Sequence, residues 1–272
     1  MSSDPHARVV ERSGDSDPGL RRTSNQDRLL AEAPLFVVAD GMGGSEGGEV
    51  AAALAIEVFR EHGPLYSEKD VVTGLRTLVA EANDRIFAKA RADSRYQGMG
   101  TTVVAALVHD DAVTLAHVGD SRAYLLRGGG LELLTDDHSY VAELLRLGAL
   151  SPEEAEKHPR ASVISRALGT REEVEADVQT VEVRDQDVFL LCSDGLTRMV
   201  PESEIKAIAA AAGRLEEASE RLIAAANEKG GDDNITVCLF RVALPDSPGR
   251  KQTTVIELSV IARAATAERR AC

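Results

Sequence analysis

Five apolar residues, Leu35 to Ala39, run without interruption into Asp40, and then into Gly41, Met42, Gly43 and Gly44. A short apolar run closed by turn residues reads as a buried strand. Its end carries Asp40 to a rim, where the side-chain carboxylate and the bare Gly41 carbonyl can both reach an ion. Hard cations such as Mg²⁺ take oxygen ligands of this kind. The same Asp-Gly pair is also a common hairpin-turn signal, and this stretch alone leaves the two readings even. The design recurs at Val188–Cys192, which is followed by Ser193, Asp194 and Gly195.

The segments between these two strands set the fold class. Residues 1–8 are polar and read as a frayed terminus, with a strand starting near Val9. Residues 14–27 form a polar, turn-rich stretch carrying Arg21 and Arg22. Apolar spacing predicts helices over 49–61 and 70–91, the second with Asp70 as N-cap. The period then changes to strands at 101–108, 112–118 and 122–126, joined by short turns and read as an antiparallel meander. Residues of about 136–170 have a different texture, with two short helices, and read as an insert. Strands at 178–183 and 188–192, helices at 202–212 and 215–227, and a strand at 235–240 follow. Pro245 opens a linker and C-terminal tail, 245–272. This order does not alternate strand and helix. It predicts an α+β fold of mostly antiparallel sheets with helices packed outside.

Composition narrows the partners. The chain has 272 residues and a formal net charge of −14. Nucleic acid is not expected as the main partner, because neutralising phosphates takes lysine and arginine in excess. Aromatic residues make up 3% and tryptophan is absent, so an aliphatic core is expected. Cys192, Cys238 and Cys272 form no paired motif, and the first two sit in apolar runs. This is the usage of buried cysteines in a reducing compartment. With no leader-like start and no apolar run of spanning length, the expected location is the cytoplasm and no membrane span is expected.

Asp40, Asp120, Asp194 and Asp233 each stand next to or within two residues of a glycine, and Asp27 ends a polar loop. Singly, such a residue is most often a turn former. If the strand ends converge, the carboxylates share one cleft and cannot all ionise there without cations. All-oxygen ligation points to Mg²⁺ or Mn²⁺. Paired ions of this kind serve phosphate-ester hydrolysis. A guanidinium is the natural clamp for phosphate, and Arg22 is the best placed by sequence; its bland alternative is a solvated loop arginine.

At these residues the chain resembles the bacterial branch of the metal-dependent serine/threonine protein phosphatases, the PP2C or PPM family. Seven motifs occur in the family's order over roughly residues 9–242. They begin with Asp17-x-Gly19-x-x-Arg22-x-x-Asn25-Gln26-Asp27, Val38-Ala39-Asp40-Gly41-Met42-Gly43-Gly44 and Gly100-Thr101-Thr102. Val118-Gly119-Asp120-Ser121-Arg122 and Leu134-Thr135-x-Asp137-His138-Ser139 follow. Ser193-Asp194-Gly195-Leu196 and Asp233-Asn234-Ile235-Thr236 complete the set.

The resemblance implies a four-layer α-β-β-α sandwich over 9–244. It implies that Asp40 bridges two Mn²⁺ or Mg²⁺ ions, that Gly41 offers its carbonyl to one and that Asp27 holds that ion's waters. Asp194 and Asp233 would complete the other site. A third ion, frequent in bacterial members, would involve Asp120 and Asp194, with Ser162 of a flap over 136–170 within its reach. Arg22 matches the phosphate-binding arginine. The expected partners are phosphorylated proteins, including a serine/threonine protein kinase, and the expected state is a monomer.

Two positions depart from the pattern. Gln26 stands where the family usually has glutamate, offering a carbonyl oxygen without charge. Met42 stands where eukaryotic members place an acid histidine, so the leaving alkoxide must take its proton from elsewhere. His117 and His138 are read as packing or turn residues. Two competing functions remain at this stage. One is a catalytically dead phosphoprotein-binding module, for which only Gln26 speaks. The other is a metal phosphodiesterase or small-molecule phosphatase.

Overall fold

The computed structural model describes residues 6–63, 70–156 and 158–245. Residues His6–Leu244 form one compact unit. Its strands are β1 (Arg8–Asp17), β2 (Arg28–Glu32), β3 (Leu35–Ala39), β4 (Gly41–Met42), β5 (Gly100–Thr101) and β6 (Val103–His109). They continue as β7 (Ala112–Val118), β8 (Arg122–Arg127), β9 (Gly130–Leu133), β10 (Asp177–Glu182), β11 (Val188–Cys192) and β12 (Ile235–Ala243). The helices are α1 (Gly44–His62), α2 (Val71–Ala92), α3 (Tyr140–Arg146), α4 (Pro152–Glu156), α5 (Asp194–Thr197), α6 (Glu202–Ala211) and α7 (Leu215–Glu228).

The strands form two five-stranded antiparallel sheets, ordered β1-β12-β11-β8-β9 and β10-β7-β6-β3-β2, with β4 and β5 as a separate pair. Period-two alternation sorts each strand between two cores. On β3, Phe36 and Val38 face the opposite sheet. Val37 and Ala39 face α1 and α2, whose Ala52, Ala55, Leu75 and Leu78 cover that side. On β11, Phe189 and Leu191 point into the sandwich, while Leu190 and Cys192 meet Ile205 of α6 and Leu222 of α7. The result is the expected α-β-β-α order of layers.

Asp70 caps α2 by accepting from the Thr73 N–H at 3.2 Å. Ser151 does the same for Glu154 at 3.3 Å, at the start of α4.

Several expectations change. The three central strands are not one meander: β6 pairs with β7, but β8 lies in the other sheet between β11 and β9. The chain crosses between the sheets at Gly119-Asp120, which places Asp120 at the seam. β1 starts at Arg8, inside the stretch expected to be frayed, and runs on to Asp17 through polar residues expected to turn. Its polar side chains bond outward instead, Ser13 to Ser219 at 2.8 Å and Ser16 to Thr236 at 2.6 Å. Strands β2 and β9 and the one-turn helix α5 were not expected; each is too short for a periodic signal.

The core is less purely aliphatic than composition suggests. Phe36 stacks on Phe240 at 4.1 Å between ring centres, and Phe189 on Phe240 at 5.1 Å, at the centre of the sandwich. Cys192 and Cys238 are buried free thiols, pushed up to about 12 by burial. Cys272, residues 1–5 and the tail beyond Pro245 lie outside the described residues.

Candidate metal centre

Two strand ends build the centre of the site. β3 delivers Asp40 and β11 delivers Asp194, each followed by glycine. Both glycines are dictated by a crossing backbone. A Cβ on Gly41 would lie 2.1 Å from the Gly48 carbonyl oxygen, and one on Gly195 would lie 2.0 Å from that of Asn234.

The Asp40 backbone is clamped by the Gly100-Thr101-Thr102 stretch. Its N–H donates to Thr102 Oγ1 at 3.0 Å. Its carbonyl accepts from the Thr102 N–H at 2.9 Å and from Thr101 Oγ1 at 2.8 Å.

A cleft of about 710 Å³ opens at these ends. Arg22, Asp40, Gly41, Ser162, Asp194 and Asp233 all line it. Gln26 lines it too, beside the Gly41 and Gly48 backbones. Asp27 and Asp120 lie behind the lining, 2% and 7% exposed. All eight candidate residues are therefore brought to one region, six at its surface and two beneath it. His117 and His138, each 2% exposed, are not among the lining residues.

The aspartates feel one another strongly. Burial, and then the charges of Asp27, Asp194, Asp120 and Asp233, hold the Asp40 carboxyl well above the ordinary carboxylate range. Burial raises Asp27 to about 6, against hydrogen bonds from Ser193 and Thr236 that pull it down. Burial, then Asp194 and Asp137, raises Asp120 to about 8. Burial likewise raises Asp194. Five carboxylates gathered in this way repel one another when ionised.

Two buried oxygens, Asp27 Oδ1 and Asp120 Oδ1, have no hydrogen-bond partner. A buried acceptor without a partner is costly and calls for an explanation. An all-oxygen donor set with unused acceptors fits a hard divalent cation. Among the described residues no three acidic, histidine or cysteine side chains close tightly on a single point. The carboxylates instead border the cleft from separate elements.

Two arginines stand among these acids. Arg22 Nη2 donates to Asp233 Oδ2 at 2.7 Å, and Arg198 Nη1 donates to Asp194 Oδ2 at 3.1 Å. Arg198 was missed by sequence reading. The only signal was its place four residues after Asp194, the spacing of an ion pair on a helix.

Asn234 also had no expected role, although its motif was noticed. Its Oδ1 accepts from the Gln26 N–H at 2.8 Å, and its Nδ2 donates to the Pro18 and Ser24 carbonyls, both at 2.9 Å. One side chain thus staples the loop that carries Arg22 to the start of β12. Asp27 is set by Ser193, whose Oγ donates to Asp27 Oδ2 at 2.7 Å.

Carboxylates with unused oxygens and a guanidinium at one cleft define a metal-assisted phosphate-ester hydrolase. The comparisons make this more specific. The family model described as Protein phosphatase 2C matches residues 21–236. The serine/threonine phosphatase stp of Listeria monocytogenes is 44% identical over 233 residues, covering 82% of this chain and 92% of the relative. The Mycobacterium tuberculosis serine/threonine protein phosphatase PstP is 40% identical over 234 residues, covering 86% of this chain and 45% of that protein. A crystal structure of the M. tuberculosis phosphatase superposes with a TM-score of 0.82 at 38% identity, covering 87% of this chain and 99% of the other. The PstP catalytic domain in complex with two manganese ions gives a TM-score of 0.80 at 37% identity, covering 88% and 99%. The chain belongs to the protein phosphatase 2C family.

Proposed function

We infer that the chain is a metal-dependent protein-serine/threonine phosphatase, and we assign its residues as follows. The gathering of Asp27, Asp120, Asp194 and Asp233 around Asp40, with Arg22 at the same cleft, carries the assignment. Asp40 would hold two Mn²⁺ or Mg²⁺ ions, and the Gly41 carbonyl would serve one of them, whose waters Asp27 would hold. Asp194 and Asp233 would complete the other site. Asp120, with Asp194 and Ser162, would hold a third ion. When bound, the ions offset the carboxylate charge and activate a water for attack on the phosphorus of a phosphoserine or phosphothreonine.

The chain's own residues do the positioning. Arg22 holds the phosphoryl group as a bidentate donor, exchanging its present partner Asp233 for the substrate. Ser193 keeps Asp27 oriented beneath the site. Asn234 holds the Arg22 loop against the start of β12. Met42 lines the cleft but carries no proton to give, so the leaving alkoxide is protonated by another group.

The catalytic domain is taken as residues 9–244, with 136–170 as its flap. The physiological partners are phosphorylated proteins, a serine/threonine kinase among them, and the chain acts as a cytoplasmic monomer. No helix among the described residues is long and apolar enough to cross a membrane.

The assignment is tested with a phosphothreonine peptide. Turnover is expected with Mn²⁺, should stop on chelation and should be nearly abolished in Asp194→Asn. Calorimetric titration should give at least two ions per chain. Full turnover by Asp194→Asn would overturn the metal roles.

A further inference from the structure

Arg198 is the second guanidinium at the cleft, and the phosphoryl-binding role of Arg22 leaves it without a function. It follows α5 directly and lines the same cleft as Arg22. Its side chain is 47% exposed, so it is neither a core residue nor a freely waving surface one. It spends one N–H on Asp194 Oδ2. A guanidinium has five such donors in a fixed fork, and among the described residues this one makes no other hydrogen bond. Its charge also reaches Asp233 and Asp120.

The surroundings say what could take up the remaining donors. Of the cleft's acidic side chains, Asp40, Asp194 and Asp233 are committed to the ions and to Arg22, and Asp232 lies 3.7 Å from Arg21. A cleft of about 710 Å³ also has room for more than a phosphoryl group, enough to admit residues next to the phosphorylated one. The chain as a whole carries a net charge of −14, which disfavours acidic segments elsewhere on the surface. Among the described residues lining the cleft, this half-exposed guanidinium is the one cationic side chain besides Arg22.

We propose that Arg198 is a specificity-determining residue: it binds a second anionic group, a carboxylate or a second phosphate, carried next to the phosphoserine or phosphothreonine. The enzyme thereby favours acidic or multiply phosphorylated segments over neutral ones. This rests on the phosphatase reading above. It requires Arg198 to share itself between Asp194 and the substrate, as a fork of five donors allows.

The test uses the full chain with Mn²⁺ and three phosphothreonine peptides. They are identical except that the flanking position holds glutamate, phosphoserine or alanine. The wild type should hydrolyse the glutamate and phosphoserine peptides with a KM about fivefold lower than the alanine peptide, the scale of a half-exposed charge pair. Arg198→Ala should bring the three KM values together, and Arg198→Lys should restore part of the difference. Preference for only one of the two anionic peptides identifies which anion is read.

Equal KM values in the wild type would overturn the proposal. So would a discrimination that survives Arg198→Ala, or an Arg198→Ala effect of the same size on all three peptides; the last would make Arg198 only a partner of Asp194 or of the same phosphoryl group. Manganese titration of Arg198→Ala separates those two. Failure to hydrolyse any peptide would instead sink the phosphatase reading itself.

Discussion

Ser193 Oγ lies 2.7 Å from Asp27 Oδ2 and donates to it, joining the end of β11 to the residue that precedes β2. The same oxygen accepts the Thr236 N–H at 3.0 Å. Ser193 is therefore a bridge between the two sheets beneath the candidate metal centre. Its removal would take this donor from Asp27 Oδ2, next to an Oδ1 that already has no partner. Ser193→Ala is expected to destabilise the fold by about 1–3 kcal/mol. It should also weaken manganese binding while leaving the ion count unchanged. Urea denaturation and calorimetric titration read the two effects separately.

Arg22 is held over the site by its loop and by Asp233. Arg22→Ala should lower kcat/KM on a phosphothreonine peptide by about a hundredfold, the usual cost of losing a donor to transition-state charge. Arg22→Lys should recover little of it, because an ammonium cannot form the bidentate fork. Manganese affinity should not fall in either variant. A fall would place Arg22 in support of the ions rather than of the phosphoryl group.

Asn234 tests the same loop from the other side. Asn234→Ala removes a donor to two carbonyls and an acceptor for Gln26, at a cost of about 2 kcal/mol in stability. Because Arg22 rides on that loop, KM should rise more than kcat falls. A steady-state analysis on one phosphopeptide checks the split.

Arg127 and Asp187 form a pair that is not part of the cleft lining. The guanidinium donates from Nε at 2.9 Å and from Nη2 at 2.6 Å, and Asp187 is 1% exposed. Asp187 also accepts the Arg184 N–H at 2.7 Å. Arg127→Met would leave a buried carboxylate unpaired, and is expected to cost about 3 kcal/mol. Replacing both, as Arg127→Met with Asp187→Leu, should recover most of that loss. Denaturation midpoints measure both variants, and kcat at low temperature should match the wild type.

His117 governs part of the acid stability. Burial, with the neighbouring His138 charge, pushes it down to about 3 from an ordinary value of 6.5, against weaker opposing pulls from Asp177 and the Gly119 backbone. Above pH 6.5 the ring is neutral in both folded and unfolded chains, and contributes no pH dependence. Between 6.5 and 3 the unfolded chain takes up a proton that the folded one refuses. Stability then falls as pH falls, by about 1.4 kcal/mol per pH unit from this group. His117→Phe keeps a ring beside His138, which lies 4.6 Å away between ring centres and tilted by 33°, and removes the proton. Its stability, measured in urea from pH 7.5 to 5, should decline less steeply than that of the wild type.

Much of this architecture was legible in the chain. The apolar runs at 35–39 and 188–192 match β3 and β11 residue for residue. Long periodic segments gave α2 and α7 within a residue or two, because helical spacing repeated over several turns is hard to produce by chance. Asp40, Asp194 and Asp233 could be picked out because each ends or precedes an apolar strand within two residues of a glycine. What failed was sheet membership. β8 follows β7 after three residues, yet it joins the opposite sheet, since short-range alternation says which face is buried but not which partner strand buries it. β1 failed because its polar residues are satisfied by Ser219 and Thr236, both more than two hundred positions away.

The sequence by itself determined the local design: strands that end in aspartate, glycines that admit a crossing backbone, a loop carrying Arg22, and an acidic balance. The first three follow from side-chain size and period along the chain; the acidic balance, a net charge of −14, only disfavours nucleic acid as a partner and does not exclude it. Only the tertiary structure decided which carboxylates meet. Asp27 and Asp120 are brought beneath Asp40 and Asp194 by sheet packing, and Arg198 reaches Asp194 within the same cleft. Their mutual field, and the raised proton affinity that calls for cations, exist only because folding excludes water from between charges that are far apart in sequence.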